Sequence, residues 1–216
     1  MNKQLPYIIA IEGIDKSGKH TLAKGLVETF EAKGYTVEHS EFHRYDTPTG
    51  ELIARYLKKE IELSDDAIEL IMAADKINQL DYIRNCESDI LVLDRYLLSQ
   101  YAYAEAKNRL GMTTATAYKL HKVLEDMPKA DVTIILTLDP KVSMARKGKH
   151  GDNDRYESDI RLLQAVNQAM HDLPRHLYSR KNVQINLKET DTPEMVEAAF
   201  HSYFDEVLVR KGDVTQ

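Results

Sequence analysis

The stretch "AIEGIDKSGKHTLAKGL", residues 10–26, decides how the rest of the chain is read. An apolar run leads into Gly13, and Gly18 and Lys19 follow at G-x-x-x-x-G-K spacing, immediately before a segment of helical period. Strand, glycine-rich turn and helix in that order present backbone N–H groups at a helix start, where an oligophosphate can be wrapped. Lys19 adds a point charge for the outer phosphates. Ser17 lies inside the turn and Thr21 offers a hydroxyl, but His20 stands directly after the lysine, where Ser or Thr is usual.

Working outward, short apolar runs alternate with longer helical segments, the pattern of a parallel sheet covered on both faces. Strands are expected at "YIIAIEG" (7–13), "TVEHSEF" (36–42), "DILVLD" (89–94), "DVTIILTLD" (131–139) and "NVQINL" (182–187). Helices are expected over 19–33, 49–59, from a Ser64 cap to about Asn85, over 96–108 and 114–126, and briefly after Pro140. One more carries Leu162, Leu163, Val166, Met170 and Leu173 on one face, and the last spans 193–209. "RKGKHGDNDRYE" (146–157) is too polar and Gly-punctuated to be core. The fold class is α/β, a three-layer P-loop sandwich with a five-stranded parallel sheet.

Composition sets the outer bounds. With 216 residues, 43% hydrophobic and 30% charged, and without a Pro/Gly/Ser-rich linker, the chain reads as one domain over 1–216. A formal charge of −6 argues against duplex nucleic acid as a main partner, because counterion release rewards a basic face. Cys86 is the single cysteine, so no internal disulfide is possible, and a reducing cytoplasm is expected. "LPYIIAI" (5–11) is too short to span a bilayer and lacks the flanks of a signal peptide.

Asp94 closes the run "ILVLD", at the edge of the sheet beside the loop. Two readings stand for it: a carboxylate for Mg²⁺ or its waters, or a cap for the next helix. Arg95 directly after it favours chemistry, since metal carboxylate beside guanidinium is what a site with two phosphorylated substrates requires.

The pieces "EGIDKSGKHT", "VEHSEFHRYDTPTGELIARYL", "IELIMAADKINQ", "VLDRYLLSQYAYAEAK" and "GDNDRYE", in this order, resemble the thymidylate kinase family of nucleoside monophosphate kinases, eukaryotic and viral members most of all. The resemblance implies transfer of the γ-phosphoryl of ATP to dTMP, with Mg²⁺, by in-line displacement. It implies that Gly13, Ser17, Gly18, Lys19, His20 and Thr21 hold ATP and that Lys16 reaches the transferred group. It further implies that Asp15 binds the sugar 3′-hydroxyl, that Arg95 clamps the acceptor phosphate, and that Phe42, Tyr103 and Tyr156 help line the acceptor site. Residues from about 146 to 156 would form a lid, with Arg146 and Arg155 near the donor phosphates and Arg146 against adenine. A solvated basic loop is the plain alternative. Homodimers are the family's usual state.

The sequence departs from the family at four places. His20 replaces a hydroxyl, and an imidazole suits softer metals than Mg²⁺. Tyr45 stands where relatives carry an arginine, so either Arg44, one residue earlier, takes over or it faces solvent. Met72 and Lys76, four apart on one helix face, replace a base-stacking aromatic and a base-reading arginine. Methionine deforms and lysine has no planar fork, which points to a pocket that tolerates a different or modified pyrimidine. Core packing is the alternative for Met72, and Gln79 is a further candidate base contact. Rival functions are a kinase of another deoxynucleoside monophosphate or of a nucleoside, with Glu12 as the carboxylate for a 5′-hydroxyl. Outside enzymes, the rivals are a nucleotide switch, for which no N-K-x-D reader is found, or a silent relative.

Overall fold

A computed structural model describes residues 5–146 and 154–188 together with 191, 195, 196 and 198. Its centre is β1, Tyr7–Gly13, whose seven residues are buried except for the first. A continuous apolar strand of this kind must be covered on both faces, and it lies in the middle of a parallel five-stranded sheet of order β2-β3-β1-β4-β5. The others are β2 (Val37–Glu41), β3 (Ile90–Asp94), β4 (Ala130–Thr137) and β5 (Ser179–Asn186).

Alternation along each strand sorts the core into two layers. Ile9 and Ile11 of β1, Ile90 and Val92 of β3, and Val132, Ile134 and Leu136 of β4 pack with Leu22, Ala23, Leu26 and Phe30 of α1 (Lys19–Ala32). Ile8, Ala10, Leu91 and Leu93 point the other way. They meet a layer built from α2 (Pro48–Leu57), α3 (Asp65–Asn78), α4 (Leu80–Asn85), α5 (Leu97–Arg109), α6 (Ala117–Val123), α7 (Pro140–Ala145) and α8 (Ile160–Asp172).

The helix starts follow local chemistry. Ser64 Oγ accepts from Ala67 N at 3.2 Å, Thr116 Oγ1 from Lys119 N at 3.2 Å, and Asp159 Oδ1 from Arg161 N at 2.9 Å. The helix expected from Ser64 to Asn85 is two helices. At their join Gln79 N donates to Lys76 O at 3.0 Å, an i−3 bond that tightens the last turn so that α4 leaves on a new axis and Ile83 reaches the core. β5 starts at Ser179, earlier than expected, and α6 covers only part of 114–126. The helix expected over 193–209 falls almost wholly outside the described residues. No helix among the described residues is long and apolar enough to cross a membrane.

Candidate active site

Central β1 delivers the loop of residues 13–19 to the carboxyl edge of the sheet, between β3 and β4. Gly13 has φ 148°, and a Cβ there would lie 2.5 Å from Leu136 O and 2.8 Å from Ser17 Oγ, so only glycine lets the loop turn against β4. Lys16 (φ 58°) and Gly18 (φ 92°) are also left-handed, which aims successive N–H groups into one concavity. Inside it, the Ser17 hydroxyl is buried without a hydrogen-bond partner, a polar atom that a phosphate oxygen would satisfy. Lys19 is buried and donates to Ile14 O at 2.9 Å. Its pKa is lowered by burial and by Arg95, against the opposing pull of Asp15 and Asp94. Thr21 and His20 are exposed on the first turn of α1.

Two straps fasten this loop from β4's side. Ser143 Oγ of α7 donates to Asp15 O at 2.7 Å, and Arg146 Nη1 donates to Lys16 O at 3.0 Å. Lys16 Nζ pairs with Glu157 Oε2 at 3.3 Å, which ties the loop to the segment after residue 153. The ammonium expected at the transferred group is here an anchor for that segment. The middle of the expected lid, residues 147–153, lies outside the described residues.

Arg95 joins the loop to a second cleft. Its backbone is left-handed (φ 66°), with N donating to Ile11 O at 2.8 Å. That bend turns the side chain back so that Nη1 donates to Gly13 O at 3.0 Å and Nη2 to Asp15. Tyr103 Oη donates to the other Asp15 oxygen at 3.3 Å. Burial raises the Asp15 pKa, but Arg95 and Lys19 outweigh it and hold the carboxylate below its ordinary range. Burial likewise disfavours the Arg95 charge, and Asp15 more than restores it.

The cleft that opens from this pair contains about 530 Å³ of space, part of it open to solvent. Phe42, His43, Met72, Lys76, Gln100, Tyr103 and Tyr156 are on its wall with Asp15 and Arg95. Lys76, on α3, is fully enclosed: Nζ lies 5.3 Å from the Phe42 ring centroid and donates to Gln100 Oε1 at 3.2 Å. Gln100 Nε2 donates onward to Glu69 Oε2 at 3.0 Å, and Glu69 pairs with buried Lys107 at 3.0 Å. Lys107 Nζ stands 4.3 Å from the centroid of Tyr156, whose hydroxyl it also meets. A polar line therefore runs from Tyr156 to Lys76. Burial lowers the Lys76 pKa to about 8, with Asp75 and Glu12 limiting the drop.

Residue 45 is on the cleft wall but Arg44 is not. The Arg44 guanidinium forks onto Asp46, at 3.1 and 2.9 Å, and lies 5.7 Å from the Tyr82 ring centroid. Of the two readings for Arg44, the outward one describes the structure, because Asp46 offers the nearer anion. The wall also stops short of Gln79, which is buried at the α3–α4 join. Arg155, expected near the donor phosphates, is elsewhere: Nε donates to Tyr56 O at 3.1 Å and Nη2 pairs with Glu62 at 2.7 Å. Its neighbour Tyr156 does enter the cleft, since adjacent side chains on this turn diverge. Tyr101 points away from the cleft, to His121.

Sequence reasoning missed Gln100, Glu69, Lys107 and Asp75. Asp75 is fully buried and accepts from His43 Nδ1 (3.0 Å), Thr47 Oγ1 (3.1 Å), Thr49 Oγ1 (2.7 Å) and Arg44 N (3.3 Å). It thereby fixes the turn that carries Tyr45. Burial, with Lys76 nearby, lowers the His43 pKa to about 4, so the ring is neutral and Nδ1–H points at Asp75. A usable signal was present: Asp65, Glu69, Met72 and Lys76 share one face of α3, and Gln100, Tyr103 and Lys107 share one face of α5.

Glu12 is excluded as a base for a 5′-hydroxyl. Its carboxylate accepts from Tyr96 N (3.0 Å), Leu98 N (3.1 Å) and Ser99 N (3.2 Å), and from the Ser99 hydroxyl, so it caps α5 from beneath the loop.

Asp94 remains. It is 7% exposed, and its carboxylate has no hydrogen bond among the described residues, which fits a divalent cation at the edge of the phosphate loop and not a helix cap.

A phosphate loop joined through one guanidinium to a second, base-sized cleft is the geometry of a two-nucleotide site. A family model described as thymidylate kinase matches residues 11–197. The chain belongs to the thymidylate kinase family. Human thymidylate kinase is 29% identical over 196 residues, covering 88% of this chain and 84% of that one. A probable thymidylate kinase of Pyrococcus horikoshii is 33% identical, covering 74% and 78%. The solved thymidylate kinase of Candida albicans superposes with a TM-score of 0.75 at 28% identity, covering 95% and 93%. The family is one of phosphotransferases that use ATP, and the five-stranded parallel sheet is its fold.

Proposed function

We propose that this chain transfers the γ-phosphoryl of ATP to the 5′-phosphate of dTMP or a closely related pyrimidine deoxynucleotide, giving the diphosphate and ADP. The observation that carries this reading is Arg95, which touches the donor loop at Gly13 O and lines the acceptor cleft. An acceptor phosphate drawn to this guanidinium meets the donor phosphates head to tail, and positioning of that kind supplies much of the catalysis in phosphoryl transfer. The loop amides, Ser17 and Lys19 hold the donor. Asp15 and Tyr103 sit where a 3′-hydroxyl and the sugar edge would rest. Mg²⁺ or another divalent cation bound with ATP would neutralise charge on the outer phosphates, and Asp94 is the carboxylate placed to hold it.

Lys76 and Gln100 favour a second, finer reading. They offer a flexible ammonium and an amide where a planar guanidinium is expected, and Met72 yields where a ring would not. We infer an acceptor range wider than dTMP, extending to other or modified pyrimidines. A homodimer in the cytoplasm is the setting we propose. Leu70 and Ile77, exposed at 56% and 42% on one stripe of α3, support the first part, and the lone Cys86 is consistent with the second.

ADP release measured with dTMP, dUMP, dCMP, dGMP and thymidine tests the proposal. Turnover is expected with pyrimidine deoxynucleoside monophosphates and not with thymidine. ADP formation only with thymidine, or with no acceptor at all, would remove it.

A further inference from the structure

We propose that His20, Glu41 and Asp94 form a mixed nitrogen–oxygen site for a first-row transition-metal dication such as Mn²⁺ or Co²⁺, with preference over Mg²⁺. The strand register brings the two carboxylates together: β2 pairs with β3 in parallel, Val37 opposite Ile90 through Glu41 opposite Asp94. Val37 and Val92 face α1 in the core, so by alternation Glu41 and Asp94 project on that same face at the strand ends. α1 begins at Lys19, so His20 arrives over those ends, with its ring 6.0 Å from that of His39, two residues before Glu41.

One donor atom from each of the three residues lies within 4.8 Å of the others. Metal–ligand bonds of about 2.0–2.2 Å require ligand atoms roughly 3 to 4 Å apart, a gap that small rotations of two exposed side chains close. Asp94 cannot move as freely, and it need not. It is nine-tenths buried and aimed at the cluster without a hydrogen-bond donor among the described residues. Two nearby cations, Lys19 and Arg95, feel its charge without bonding it. Lys19 Nζ bonds Ile14 O, and Arg95 bonds Gly13 O and Asp15.

Donor chemistry sets the metal class. An all-oxygen set suits Mg²⁺, which also dehydrates reluctantly, whereas an imidazole ligand raises affinity along the series from Mn²⁺ through Co²⁺ to Zn²⁺. Two carboxylates and one imidazole leave coordination positions for water or phosphate oxygens. The site adds to the kinase reading but does not need it, because metal can be bound and measured without nucleotide.

The test is Co²⁺ titration of the full-length protein without nucleotide, followed by visible d–d absorption, with Mn²⁺ binding by electron paramagnetic resonance as a second readout. One metal ion per chain is expected, and Mg²⁺ should displace it only at about a hundredfold excess or more. His20→Ala and Glu41→Gln should each weaken Co²⁺ by about tenfold or more, while Lys24→Ala, on the same helix, should not. Saturable Co²⁺ binding indifferent to His20→Ala, displacement by equimolar Mg²⁺, or no saturable binding would each overturn the proposal. Loss of ADP formation with metal binding intact would count against the kinase reading alone.

Discussion

Gln100 decides how Lys76 meets the cleft: the Lys76 ammonium donates to Gln100 Oε1 at 3.2 Å, and Glu69 holds the amide's nitrogen end on the opposite side. The amide cannot flip without setting donor against donor. Gln100→Met keeps the volume but removes both bonds. It should raise KM for dTMP about tenfold, with KM for ATP within twofold. Steady-state kinetics with each substrate varied in turn would show this, and an unchanged dTMP KM would mean Lys76 is positioned by other contacts.

The Lys76 proton should be visible in the pH profile. With its pKa near 8, the ammonium discharges above that value, so kcat/KM for the acceptor should fall as pH rises through about 8. Lys76→Arg should move that limb out of range, because a guanidinium stays charged. Unfolding is not the cause. The folded-state pKa is below the ordinary lysine value of 10.5, so between the two the unfolded chain binds more protons and stability from this group rises with pH. Thermal melts across the same range separate the two effects.

Removing Arg95 should be costly in rate. Arg95→Ala loses the acceptor clamp and leaves Asp15 buried without its main partner, so kcat should fall by about 10²–10³. Lys19→Ala should abolish measurable turnover. Near-normal rates in either variant, by coupled ADP assay, would contradict the assigned geometry.

Asp75 should act on stability first. Four donors converge on its buried carboxylate, and Asp75→Ala should cost about 3 kcal/mol in urea unfolding. Burial raises the Asp75 pKa, but the bonds from His43 and Thr49 overcome it and hold the pKa below the ordinary 3.8. Its contribution is therefore present above that value and is lost as pH falls through the lowered one. A variant as stable as the parent would show that Gly50, packed against Arg44 O, holds the turn unaided.

Much of this arrangement is legible in the sequence where a single segment carries the information. "YIIAI", "ILVL" and "TIIL" are continuous apolar runs because β1, β3 and β4 are buried on both faces. The loop of 13–19 reads from glycine spacing alone. The break at Gln79 has no glycine or proline to mark it, since it is made by a single tightened hydrogen bond. The sequence places Arg155 by the donor phosphates and Tyr156 at the acceptor site. Tyr156 does enter the cleft, whereas Arg155 turns outward to Glu62, because nothing local in the sequence says which way each side chain of this turn faces. The pairing of α3 with α5 through Glu69, Gln100 and Lys107 is a tertiary event. Either helix alone shows the right face but not which residue it will meet.

Lys107 is wholly enclosed between Asp65 and Glu69, with the Tyr156 ring beneath its ammonium. Such a wall has few neighbouring sequences: replacing Lys107 alone strands the buried Glu69, and replacing Glu69 alone leaves Lys107 only the partly exposed Asp65 as counter-charge and takes the acceptor from Gln100 Nε2. Changes of substrate range in descendants of this chain should therefore come as coordinated pairs across the two helices, or at yielding Met72, before they come at either member of this ion pair singly.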